Sequence, residues 1–180
     1  ARNKLLRKII ATMLNMSVEP SVAALIVAEA DVMAIMVEIL KSFTDVDLQQ
    51  LSACTIRNLC LHDELRSIVG HHQCLSPLLR LMRKSPDSCV QRTCADALRF
   101  LSIDEEHAET LIRNDVLKTA VALLSHRTDP IVQTNCAYII SALSTNFIEA
   151  ALHVCRENGV ALLISMLHES KPLYLRRASA

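Results

Sequence analysis

The sequence predicts an all-α chain, a solenoid of stacked helical repeats, and three observations lead there. Two near-copies, VQRTCADALRFLS from Val90 and VQTNCAYIISALS from Val132, stand 42 residues apart; one period earlier Leu48 opens LQQLSACTIRNLC, and one period later Tyr174 opens YLRRASA. Within each period apolar residues recur at i, i+3, i+4 and i+7, which is one face of a helix. Finally, 3% aromatic residues and only two glycines, Gly70 and Gly159, disfavour a turn-rich or sheet-rich fold and suit helices.

Each repeat reads as three helices in chain order. The first is short: Val22–Ala28, Glu64–Val69, Glu106–Ile112 and Glu149–Val154. The second carries the apolar stripe, as Met33, Met36, Val37 and Leu40, then Leu75, Leu78, Leu79 and Met82, then Leu117, Ala120, Val121 and Leu124, then Val160, Leu163, Ile164 and Leu167. The third is longest and puts small residues where a neighbouring helix must come close: Ser52, Cys94 and Cys136, followed by Ala53, Ala95 and Ala137. Its buried stripe continues through Ile56, Leu98 and Ile140 to Leu59, Leu101 and Leu143. Polar joints separate the repeats at Thr44–Asp47, Ser85–Ser88, Arg127–Pro130 and Glu169–Pro172, and Pro86, Pro130 and Pro172 cannot continue a preceding helix.

Three helices in about 42 residues falls in the ~40–47-residue period of two solenoid classes. The third helix ends in Ile56-Arg57-Asn58-Leu59, loosely echoed by Leu14-Asn15-Met16, and second helices open on Glu29-Ala30-Asp31-Val32 and Glu157-Asn158-Gly159-Val160. On these residues nearly the whole chain resembles the armadillo family, whose third helix commonly ends Leu-polar-Asn-Leu and whose second opens Glu-Ala-Gly-Ala. The resemblance implies a right-handed superhelix of three-helix repeats; HEAT, whose units usually have two helices, is the runner-up. The expected organisation is one armadillo segment over 1–180: a partial third helix over 1–17, full repeats over about 18–60, 61–102 and 103–144, and an incomplete repeat over 145–180. Because the chain opens abruptly and stops as a further copy begins, a fragment of a longer array is expected.

Composition narrows the function classes. Lysine plus arginine equals aspartate plus glutamate at 19 each, so no global field recruits nucleic acid or an anionic membrane. The basic groups Arg2, Lys4, Arg7 and Lys8, then Arg80, Arg83 and Lys84, then Arg176 and Arg177, read as polar helix faces without aromatic interleaving. Seven cysteines in apolar helical contexts read as reduced core residues, giving an expected cytoplasmic location, with the nucleus as an alternative. The most apolar region, Val22–Leu40, is interrupted by Glu29, Asp31 and Glu38, so no membrane insertion is expected.

No chemistry-bearing motif stands out. His71-His72-Gln73-Cys74 lacks the second pair of ligands that a zinc site requires, so no metal or other cofactor is expected. There is no G-x-S-x-G, glycine-rich phosphate loop or H-E-x-x-H, and Asp104, Glu105, Glu106 and Glu109 read as complements of a helix dipole. Neither an enzyme nor a small-molecule substrate is expected.

The armadillo resemblance implies a concave groove lined by third helices, in which some members hold an extended peptide with tryptophan and asparagine ladders. An asparagine amide has a donor and an acceptor, matching one peptide unit. By position the asparagine sites fall at Asn15, Asn58, Phe100 and Ala142, and the tryptophan sites at Ala11, Cys54, Asp96 and Tyr138. Two asparagines remain and no tryptophan does, which counts against recognition of nuclear-localisation signals. The expected function is a non-catalytic scaffold binding a protein, as extended peptide or partner helix, through Asn15, Asn58, Asp96, Arg99, Phe100 and Tyr138. A structural spacer in a cytoskeletal or ciliary assembly and a nuclear-transport or nucleic-acid adaptor are the alternatives.

Overall fold

The computed structural model describes residues 2–125 and 129–170, all of whose regular elements are α-helices. In chain order they are α1 (Arg2–Met16), α2 (Pro20–Ala28), α3 (Ala30–Ser42), α4 (Val46–Leu61), α5 (Asp63–His71), α6 (Leu75–Lys84), α7 (Ser88–Leu101), α8 (Glu105–Arg113), α9 (Val116–Ser125), α10 (Pro130–Asn146), α11 (Ile148–Arg156) and α12 (Gly159–Ser170). The copy of the motif at Tyr174, Arg176, Arg177 and the end of the last joint lie outside the described residues.

The helices stack in three layers. First helices α2, α5 and α8 touch in succession, second helices α3, α6, α9 and α12 do the same, and third helices α1, α4, α7 and α10 pack side by side. The small residues explain the close approach in that last layer: Ser52, Ala53, Cys94, Ala95 and Cys136 have no accessible surface. Below them Ile56, Leu59, Leu98, Leu101, Ile140 and Leu143 are buried, each worth about 1.5–3 kcal/mol when removed from water. Each repeat thus shares a core with its neighbours.

Chain punctuation repeats with the same period. Asp45, Asp87 and Asp129 are N-caps of α4, α7 and α10, their carboxylates accepting from the backbone N–H of Leu48 (3.2 Å), Val90 (3.0 Å) and Ile131 (2.9 Å). Such a cap satisfies an N–H that has no partner inside the helix. First and second helices join through a left-handed residue at Gln73, Asp115 and Asn158, with φ of 58°, 59° and 62°. The α2–α3 joint differs: it turns at the single extended residue Glu29. At the last joint the left-handed residue is Asn158 and Gly159 is helical, but a Cβ on Gly159 would stand 2.6 Å from Val154 Cγ1, so close packing requires the glycine.

Three second-helix stripes are buried as expected, and the fourth is not. Val160, Ile164 and Leu167 are exposed; of the expected stripe only Leu163 packs against the core, together with Leu162 and Met166. No third helix covers α12 within the described residues, so its outer side faces solvent. Basic side chains serve repeat contacts: Arg80 of α6 donates to the carbonyls of Leu40 and Lys41 at the end of α3, where acceptors lack helical partners. Among the described residues no single helix is long and apolar enough to cross a membrane.

Candidate protein-binding groove on the third helices

The side-by-side third helices leave an open, solvent-facing groove of about 460 Å³. Cys54, Arg57 and Asn58 of α4, Arg92, Thr93 and Asp96 of α7, and Ile131 and Asn135 of α10 line it, with Leu14 of α1 at one edge. A second groove of about 470 Å³ lies between α10 and α12, where Tyr138 and Ser141 face Leu163, Met166 and Leu167. Tyr138, 56% exposed, borders this more apolar space.

Asp96, Arg99, Phe100 and Tyr138 form one contiguous group. Asp96 accepts from Arg57 Nε at 3.0 Å across the α4–α7 contact, and from Arg99 Nε and Nη2 at 3.0 and 2.9 Å. The Arg99 guanidinium in turn lies 4.1 Å from the Phe100 ring centroid and 5.4 Å from that of Tyr138, within cation–π range of both. A carboxylate, two guanidiniums and two aromatic rings are thus held in fixed relation on α4, α7 and α10. Phe100 is half-buried against the core, so its ring also serves repeat packing.

The two asparagines part company. Asn15 is exposed on α1 and does not line the groove. Asn58 lines it but is only 8% exposed: its Nδ2 donates to Ser17 Oγ at 3.1 Å and its Oδ1 accepts from Arg57 Nη1 at 2.7 Å. Its amide is therefore engaged at both ends within the chain, and Asn58 fixes Arg57 and the α1–α2 corner as it stands.

The residues that sequence reading missed are Gln50, Arg57, Arg92, Thr93 and Asn135. Gln50 Nε2 donates to Thr93 Oγ1 at 3.0 Å and lies 3.3 Å from Cys54 Sγ, bridging α4 to α7. Gln50 Oε1 and Arg92 Nε are buried beside this contact without a hydrogen-bond partner. Thr93 and Asn135 are 42 residues apart, so the repeat register was the signal that could have found them.

Charges on this face are mostly spoken for. Arg7 donates to Asp45 at 2.8 Å and stands 2.7 Å from Asp47, while Arg92 Nη2 donates to Asp129. Hydrogen bonds from these arginines hold the Asp45 and Asp129 carboxyls below the usual carboxylate range. Gln50 occupies the equivalent place on α4, so the arginine series is interrupted between α4 and α7.

Residues 62–102 match the family model described as the Armadillo/beta-catenin-like repeat. Among solved structures, computationally designed armadillo repeat proteins for modular peptide recognition superpose with a TM-score of 0.82 at 16% identity, over 97% of this chain and 73% of theirs. A designed armadillo repeat protein in complex with the peptide (KR)4 gives 0.78 at 18% identity, over 94% and 69%. An engineered protein gives 0.81 at 23% identity, over 92% of this chain and 66% of its own length. No curated protein is significantly similar in sequence. The chain is an all-α solenoid with the armadillo-repeat fold, and its segment 62–102 matches the armadillo/beta-catenin-like repeat.

Proposed function

We propose that the protein is a non-catalytic scaffold that binds a protein partner, as an extended peptide or a helix, along the concave groove of the third helices α4, α7 and α10. The observation that carries this reading is the groove itself: a preformed channel spanning three repeats, lined by Cys54, Thr93, Asp96 and Asn135, with the exposed Tyr138 ring bordering the second groove between α10 and α12. An aromatic anchor beside arginines is the residue type that dominates interface energy. The designed relative that holds (KR)4 supports peptide capture as a use of this fold.

A nucleic-acid adaptor is less well supported, because Arg7, Arg57, Arg92 and Arg99 are each paired with an aspartate and would have to exchange that partner for phosphate. A reducing compartment such as the cytoplasm suits the cysteines, all seven of which are free. Burial pushes the Cys74 and Cys136 thiols up to about 12, which keeps them protonated and unreactive.

The test is selection from a randomised peptide library displayed against the wild-type protein, followed by affinity measurement on a Thr93→Ala/Asp96→Ala/Tyr138→Ala variant. A loss of at least about tenfold, 1.4 kcal/mol, with unchanged helicity supports the reading. Selected peptides that bind the variant equally well move the site to another face.

A further inference from the structure

Outside the groove, His71 at the end of α5 meets Glu106 and His107 at the start of α8, the next first helix. The ligand-capable atoms of the three residues lie within 4.8 Å of one another, and His71 Nε2 is 3.1 Å from Glu106 Oε1. The two imidazoles meet edge to face with centroids 5.0 Å apart.

One residue orients two of these side chains. The Ser67 hydroxyl donates to Glu106 Oε2 at 2.6 Å, and the Ser67 carbonyl accepts from His107 Nε2 at 2.7 Å. A carbonyl can only accept, so Nε2 carries the proton and Nδ1 keeps the lone pair of the neutral ring. An imidazole whose N–H is fixed by a carbonyl presents its other nitrogen in the tautomer of a metal ligand. His107 is buried, and its ring occupies space that only a glycine leaves open: a Cβ on Gly70 would stand 2.1 Å from His107 Cδ2.

The geometry points to His71, Glu106 and His107 as a site for a zinc-class divalent cation, clasping the first helices of two adjacent repeats. Two imidazoles and one carboxylate are a ligand set that zinc accepts, leaving a fourth position for water. Ligand atoms around such an ion stand roughly 3.3 Å apart, from metal bonds of about 2.0–2.2 Å. His71 and Glu106 are exposed side chains free to close that distance while Ser67 keeps His107 in place. Imidazole and carboxylate ligands bind a metal only when deprotonated, so protons compete with the cation for this site.

Zinc chloride titrated into the reduced protein by calorimetry tests this, with cobalt absorption as the second readout. The expected result is one equivalent bound, at least about tenfold weaker in both His71→Ala and Glu106→Gln, unchanged in Cys89→Ser/Cys155→Ser, with a cobalt spectrum lacking a thiolate charge-transfer band. His71 and Glu106 are exposed, so neither variant threatens folding, which circular dichroism checks. No heat with the wild type, binding that survives His71→Ala, or a thiolate band would each overturn the site.

Discussion

The Arg7 guanidinium of α1 donates to the Asp45 carboxylate at 2.8 Å, and Asp45 is the N-cap of α4. Arg92 repeats the contact with Asp129, the N-cap of α10. One side chain thus starts a third helix and ties it to the previous one. Each folded carboxyl holds its proton less readily than the unfolded chain would, so the stabilisation is complete above the ordinary aspartate value of about 4 and is lost as pH falls through the lower folded value. The urea midpoint is expected to be flat from neutral pH to about 5 and to drop below about 4, with a smaller drop in Arg7→Gln/Arg92→Gln. A variant with the same acid profile as wild type would show that these contacts do not set it.

Leu98 lies in the last turn of α7 with no accessible surface, facing the shared core. Leu98→Ala is expected to cost about 2–5 kcal/mol in urea unfolding, because the surrounding helices cannot close fully on the space left behind. An unchanged midpoint would mean that the repeats do not depend on this contact.

Gln73 holds a left-handed backbone at φ 58°, a conformation that Asp115 and Asn158 adopt at the equivalent joints. Asparagine, aspartate and above all glycine tolerate it better than glutamine does. Gln73→Gly is expected to stabilise the protein by about 0.5–1 kcal/mol, the relieved strain exceeding the added freedom of the unfolded chain. A lower melting temperature would show that the Gln73 side chain contributes more than its backbone costs.

The sequence's period, 42 residues with one step of 43, was enough to place the three layers, because helix-forming stripes and repeat spacing agree. The groove was legible only in outline. Asn58 lines the groove, but its burial follows from Ser17, 41 residues earlier, and no local pattern marks that contact. Nothing local in the sequence marks Arg92 or Gln50, because part of each side chain is enclosed only by the neighbouring third helix. His71 read as a histidine without a ligand set because Glu106 and His107 belong to the next repeat, while the acidic cluster there had a sufficient explanation in its helix start. The fourth stripe failed for a related reason: α12 has the right periodicity, but burial depends on a covering helix rather than on the stripe itself.

The central claim is that guests lie along the third helices, and amide chemical-shift mapping with a library-selected peptide tests it most directly. Perturbations concentrated at Gln50, Thr93, Asp96, Asn135 and Tyr138, running across α4, α7 and α10, are the predicted result. Perturbations confined to α2, α5 and α8, on the first-helix layer, would contradict it.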